Sequence, residues 1–189
     1  MKAPDQIKTL ADLIMQAAHY AEFCLRNSGS MPPTLFLIGN DGTMMFLPEK
    51  LANDQDKDEF ATTARLICIA HNASACVMAL EAWMKTAKPD EKLDTTEPPS
   101  EAIDRQEVIV LMGEDRKNQL QQFLPIVRSD NGKFFNLTES ALPTMDNMQG
   151  RFAQILSPKI PDAKMQALTK AVLTGKRVKG VRLGKLGRR

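Results

Sequence analysis

Between Thr34 and Leu47 the chain reads TLFLIGNDGTMMFL, two apolar runs joined by the four-residue turn Gly39-Asn40-Asp41-Gly42. Glycine supplies the positive φ that a tight turn needs, so Asp-Gly set between short apolar runs specifies a β-hairpin. The hairpin constrains the fold class more tightly than it constrains any activity.

The segments around it alternate between helical and strand periodicity. Ile7, Leu10, Ile14, Ala17, Ala21 and Cys24 recur at three- and four-residue spacing, which predicts a helix from about Asp5 to Arg26, capped by Asp5 and stopped at Asn27-Ser28-Gly29. His19 falls with Met15, Glu22 and Arg26 off that apolar stripe. After Pro32-Pro33 and the hairpin, Asp54, Asp56, Asp58 and Glu59 crowd the start of a second helix, where carboxylates suit the positive end of the dipole. Phe60, Ala64, Ile67 and His71 form its apolar stripe, and Asn72-Ala73-Ser74 its stop. The stretch Ala75 to Met84 reads as a buried strand, with Cys76, Met78, Leu80, Ala82 and Met84 on one face; its Ala, Leu, Met and Glu content leaves a helix open. A polar, proline-containing loop follows over about 86–104. Strands are predicted at Glu107 to Gly113, Gln119 to Val127 and Lys133 to Leu137, the last two joined by Ser129-Asp130-Asn131-Gly132. Pro125 marks its strand as an edge or as locally broken. Helices are expected at Met145 to Leu156 and from Asp162 to Leu173.

This order predicts an α+β domain over 1–175, built on a mainly antiparallel sheet of five or six strands with helices packed on it. A chain of 189 residues, 43% hydrophobic and 25% charged, has room for one core and an appendage. No apolar run is long enough to span a membrane, and Met1-Lys2-Ala3-Pro4-Asp5 leads into an amphipathic pattern rather than the apolar region of a signal peptide. Cys24, Cys68 and Cys76 are odd in number and sit in apolar surroundings, which suits reduced core thiols and a cytoplasmic location.

The net charge of +2 conceals an asymmetry. The last fourteen residues, KRVKGVRLGKLGRR, hold seven bases and no acid, leaving eighteen bases against twenty-three acids in the first 175. Three glycines oppose a helix there, so 176–189 reads as a flexible basic tail. Lys176, Arg177, Lys179, Arg182, Lys185, Arg188 and Arg189 can attract an anionic partner, nucleic acid or acidic protein, through charge alone, with membrane-surface attraction and a simple solubilising extension as the competing readings. With no aromatic residue to stack on bases, the tail does not support sequence-specific reading.

The element order over roughly Asp5 to Leu156 resembles the roadblock, longin and profilin-like group, whose antiparallel sheets serve mainly as docking or scaffold surfaces; the resemblance implies a binding module. A second resemblance lies in Glu81-Ala82-Trp83, Pro99-Ser100-Glu101, Asp104-Arg105 and Glu107, which is similar to a pattern in a family of small uncharacterised bacterial proteins with no activity to carry over.

Among chemical candidates, Cys68, His71 and Cys76 lie close in sequence, but a structural zinc site needs four ligands with paired spacing and a Cys-His hydrolase needs a signature that is missing. Packed core residues are the expectation for both cysteines, and a hydrogen bond to a free carbonyl at the helix end for His71. Glu81 interrupts an apolar strand and must be paired, solvated or functional; an ion pair with Arg105 is the leading expectation, with acid-base or metal chemistry as the alternative. Glu114-Asp115-Arg116 reads as a solvated turn, and no glycine-rich phosphate loop is present. The leading expectation is a non-enzymatic interaction or regulatory protein without a cofactor, contacting an anionic partner through its tail and self-associating through a sheet edge or the first helix. The rival is a small enzyme with a pocket at Glu81, Trp83, Arg105 and Glu107 under the 86–104 loop.

Overall fold

The computed structural model describes residues 7–85, 98–103, 105–138 and 150–183. Three helices and seven strands follow one another as α1 (Leu10–Ser28), β1 (Thr34–Gly39), β2 (Gly42–Pro48), α2 (Asp54–Ala70), β3 (Ala75–Met84), β4 (Gln106–Asp115), β5 (Gln119–Arg128), β6 (Phe134–Leu137), α3 (Ala163–Leu173) and β7 (Val178–Arg182). All strands join one antiparallel sheet in the order β6-β5-β4-β3-β1-β2-β7.

Side-chain alternation splits the core in two. Leu35 and Leu37 of β1, Met78 of β3 and Met112 of β4 meet Phe60 and Ile67 of α2 on one face. Phe36, Val77, Ile109 and Leu111 meet Leu13 and Ala17 of α1 on the other. Because both faces of the central strands are covered, β3 and β4 read as near-continuous apolar runs instead of alternating ones.

Local chemistry sets the element ends. Helix α1 starts later than expected: Thr9 Oγ1 accepts the Asp12 N–H at 3.1 Å and the Asp12 carboxylate accepts the Thr9 N–H at 3.2 Å, a capping box that satisfies two end donors. Asp5, the expected cap, lies outside the described residues, and buried Ile7 precedes the helix. Gly29, at φ +77, closes α1 as expected and donates to the Leu25 carbonyl. The Asn40-Asp41 turn places the required positive φ on Gly42, at +92.

Two expectations need correction, and a third, the edge reading of Pro125, is borne out in part. Residues 150–156 form turns and bends rather than the end of a helix, with positive φ at Gly150 and Gln154; 145–149 lie outside the described residues. Side chains elsewhere pin this irregular segment, as described below. Pro125 pairs with Val108 on β4, while β6 covers the far side of β5 only over Ile126 to Arg128, with a bulge between Val127 and Arg128. The proline therefore stands where β5 passes from open edge to covered strand, which explains why its missing N–H is tolerated. Lastly, the sheet has a seventh strand, β7, drawn from the segment read as a flexible tail. Val181 pairs with Met45, Gly180 with Phe46, and Leu183 is buried with the α1-side core, so the folded body includes residues 176–183. Ladder bonds to the hairpin outweigh the low intrinsic preference of the glycine there.

Candidate functional site

Two regions bring together residues singled out by sequence. The first is the β7 edge. Lys176 Nζ lies 2.9 Å from Glu59 on α2, and Arg182 lies 3.4 Å from Asp41 at the hairpin tip. Asp41 also accepts from His71 Nδ1 at 3.3 Å, so the hairpin tip links α2's end to β7; His71's ring uses this carboxylate, not the expected carbonyl. Gly180 is demanded by close approach: a Cβ there would lie 2.6 Å from the Phe46 ring. Arg177 and Lys179 are exposed and make no ion pair with a described carboxylate. Of the seven tail cations, two tie the strand to the body and these two face solvent; Lys185, Arg188 and Arg189 lie outside the described residues. Beside the edge is a cleft of about 260 Å³ between Pro48, Lys50, Asp56, Phe60, Arg177 and Val178.

The second region lies beyond the C-terminal end of α1, where Glu81, Trp83 and Glu107 line a shallow depression of about 270 Å³ with Ser30 and Met31. The β3–β4 register sets Trp83 opposite Glu107, which gathers these side chains at one end of the sheet. Arg105 lies with its guanidinium 4.4 Å over the Trp83 ring and donates to the Ser100 carbonyl. The expected Glu81–Arg105 pair does not form. Glu81 accepts the Met31 N–H at 2.8 Å, and Glu107 pairs with Arg128 at 2.5 Å. Arg128 also donates to the Gly29 carbonyl, and Glu107, with Glu81 nearby, holds its pKa above the ordinary value. Sequence spacing could not choose between Arg105 and Arg128, because the choice depends on how β5 lies against β4.

Glu114 is a residue that sequence reasoning misplaced. It is 3% exposed, not part of a solvated turn, and its two carboxylate oxygens accept from Ile155 and Leu156 N–H groups at 3.0 and 3.2 Å. Extending the alternation of EVIVLMG by one residue would have put Glu114 on the α2 face with Met112. Arg65 donates to the carbonyls of Arg151, Ala153 and Gln154, and Arg116 to those of Ser157 and Ala73. These three side chains bind the polar backbone of 150–157, which has no regular structure to satisfy it.

Cys24, Cys68 and Cys76 are all free and buried. The Cys68 thiol and burial together push Cys76 well above the usual thiol range, with a further push from Glu114. Among the described residues no three His, Cys, Asp or Glu side chains converge to hold a metal ion. Nor is any described helix long and apolar enough to cross a membrane. The exposed face of α3 carries Met165, Leu168 and Val172 at helical spacing. The fold and these sites define an antiparallel α+β domain with a basic sheet edge. Comparison with protein-family models, curated proteins and solved structures finds no match to this chain.

Proposed function

We propose that this chain is a non-enzymatic interaction or regulatory protein whose basic C-terminal region contacts an anionic partner, nucleic acid or acidic protein. The observation that carries this reading is the division of labour along β7. Lys176 and Arg182 anchor the strand through Glu59 and Asp41, while Arg177 just before it and Lys179 on it stand exposed and the sequence continues to Lys185, Arg188 and Arg189. A fixed strand presents the first free cations at a defined place, which focuses their field better than a free coil would. Glu81 and Glu107, the acids on which a catalytic alternative depends, are both engaged, one by a backbone N–H and one by Arg128. That favours interaction over acid-base chemistry.

The test uses the full chain and a variant with Arg177, Lys179, Lys185, Arg188 and Arg189 changed to Gln, which leaves both anchoring pairs in place. Each is titrated with labelled single-stranded DNA, duplex DNA and polyglutamate across a salt series. The expected result is binding to at least one polyanion that weakens roughly tenfold or more from about 50 to 200 mM salt and is lost in the variant. Equal binding by both proteins, or none by either, would sink the reading.

A further inference from the structure

Strand β7 ends the sheet, and no other described strand lies against its outer side. Its backbone polarity can be assigned. The Glu49 N–H donates to the Arg177 carbonyl at 3.3 Å, so by the alternation of an antiparallel ladder Lys179 and Val181 turn their backbone groups toward β2. Gly180 and Arg182 then turn theirs to the open side. The same alternation puts Pro48, opposite Val178, where no N–H is needed between the two strands. The Val178 N–H folds back onto the Lys176 carbonyl at 3.1 Å, which leaves Gly180 and Arg182 as the outward donor-acceptor positions.

We infer that this edge takes an extended acidic segment of a partner protein as an eighth strand. The inference rests on the reading of an anionic partner and narrows it to one class. Unpaired edge groups offer main-chain hydrogen bonds to a strand. Lys179 beside these positions, with exposed Arg177 at the strand's start, favours carboxylates at alternating positions of the added strand. Lysine on an edge normally repels generic apolar strands; here the same charge selects among strands. A second copy of this chain is disfavoured as the occupant, because 176–183 carries no carboxylate and a second β7 would bring only more Arg and Lys to this edge. Nucleic acid makes no use of outward N–H and C=O groups in register, and 176–189 has no aromatic residue to stack on bases.

The test measures anisotropy of the full chain with a short labelled peptide of alternating Glu and Val, and with a labelled oligothymidylate of equal length. Two variants are compared, Arg182→Gln and Arg182→Pro, which lose the same charge while only the second loses the outward N–H. Proline is tolerated at such an edge position. Strand addition predicts that Arg182→Pro binds the peptide about three- to tenfold more weakly than Arg182→Gln. Peptide binding that is equal in the two variants overturns strand addition and leaves the anionic-partner reading standing, as does binding of oligothymidylate without peptide. Binding of neither probe overturns strand addition, and overturns the anionic-partner reading as well when duplex DNA and polyglutamate also fail to bind. Amide exchange on the unaltered chain decides the matter if Arg182→Pro does not fold: saturating peptide is expected to slow exchange at Gly180 and Arg182, and unchanged exchange there overturns the inference.

Discussion

Tyr20 is the only tyrosine of the chain and faces the edge of the Phe36 ring, their centroids 5.5 Å apart. Burial, then the Cys24 thiol beside it, push its pKa from 10 up to about 12 against a smaller opposing pull from Thr34. A raised folded-state value means that this contribution to stability is complete below the ordinary tyrosine range and disappears as pH rises through about 12. Ultraviolet titration of the phenolate is therefore expected to give its midpoint near 12 in the folded protein and near 10 in denaturant; coincident curves would contradict the packing described. Glu114 gives a second residue-scale test. Glu114→Gln sets an NH₂ group against the backbone N–H of Ile155 or Leu156, and is expected to cost about 1–3 kcal/mol by urea unfolding. The apolar run of β4 that leads to Glu114 was legible in the sequence, but the burial of Glu114 itself was not, since it read as a solvated turn. Partner choice was not: Glu81 and Glu114 each bond to backbone many residues away, and no local spacing encodes such a pairing.

At the scale of elements, β7 depends on a flat approach between Gly180 and Phe46. Gly180→Val is expected to detach the strand at a cost of about 1–3 kcal/mol, visible as faster amide exchange at Met45 and Leu47, which face β7 in the ladder. Protection unchanged at those amides would mean that the edge can shift to admit a side chain. In contrast, Leu168→Lys on the uncovered side of α3 should change stability by no more than about 0.5 kcal/mol. Turn chemistry made the two hairpins legible, with positive φ on Gly42 and Gly132, and α2 and β4 follow from their apolar patterns; the composition of β3 left a helix open, and α3 was placed by the prolines before it. The start of α1 was obscured because Pro4-Asp5 offers a competing cap signal, and Asp12 is a less familiar capping-box partner than Glu. Strand β7 was hidden by its own composition: basic, with a central glycine, it reads as solvated chain until Phe46 is known to lie across it.

Across the whole molecule, the sheet carries one core on each face, and the α2-side core is completed by the irregular segment 150–156, where Phe152 meets Phe60 edge-on at 6.2 Å. Arg65, through three carbonyls, is the main clamp on that segment. Arg65→Ala is expected to destabilise the protein by about 1–3 kcal/mol and to speed proteolytic cleavage within 150–157 while leaving α1 resistant; a cleavage pattern unchanged from the parent would contradict the clamp. The α+β class and antiparallel arrangement were legible because they follow from element order. The strand sequence across the sheet was not, since it is fixed by long-range pairings such as Met44 with Arg182. That last pairing sets an order of events in the cell. A ribosome delivers β2 long before β7, so one side of Phe46 and the β2 ladder wait uncovered until nearly all of the described chain has emerged, and long-range pairings of this kind form slowly. A nascent chain stalled short of Val178 is expected to show the hairpin's outer strand unprotected, and therefore to be the form of this protein most in need of a chaperone.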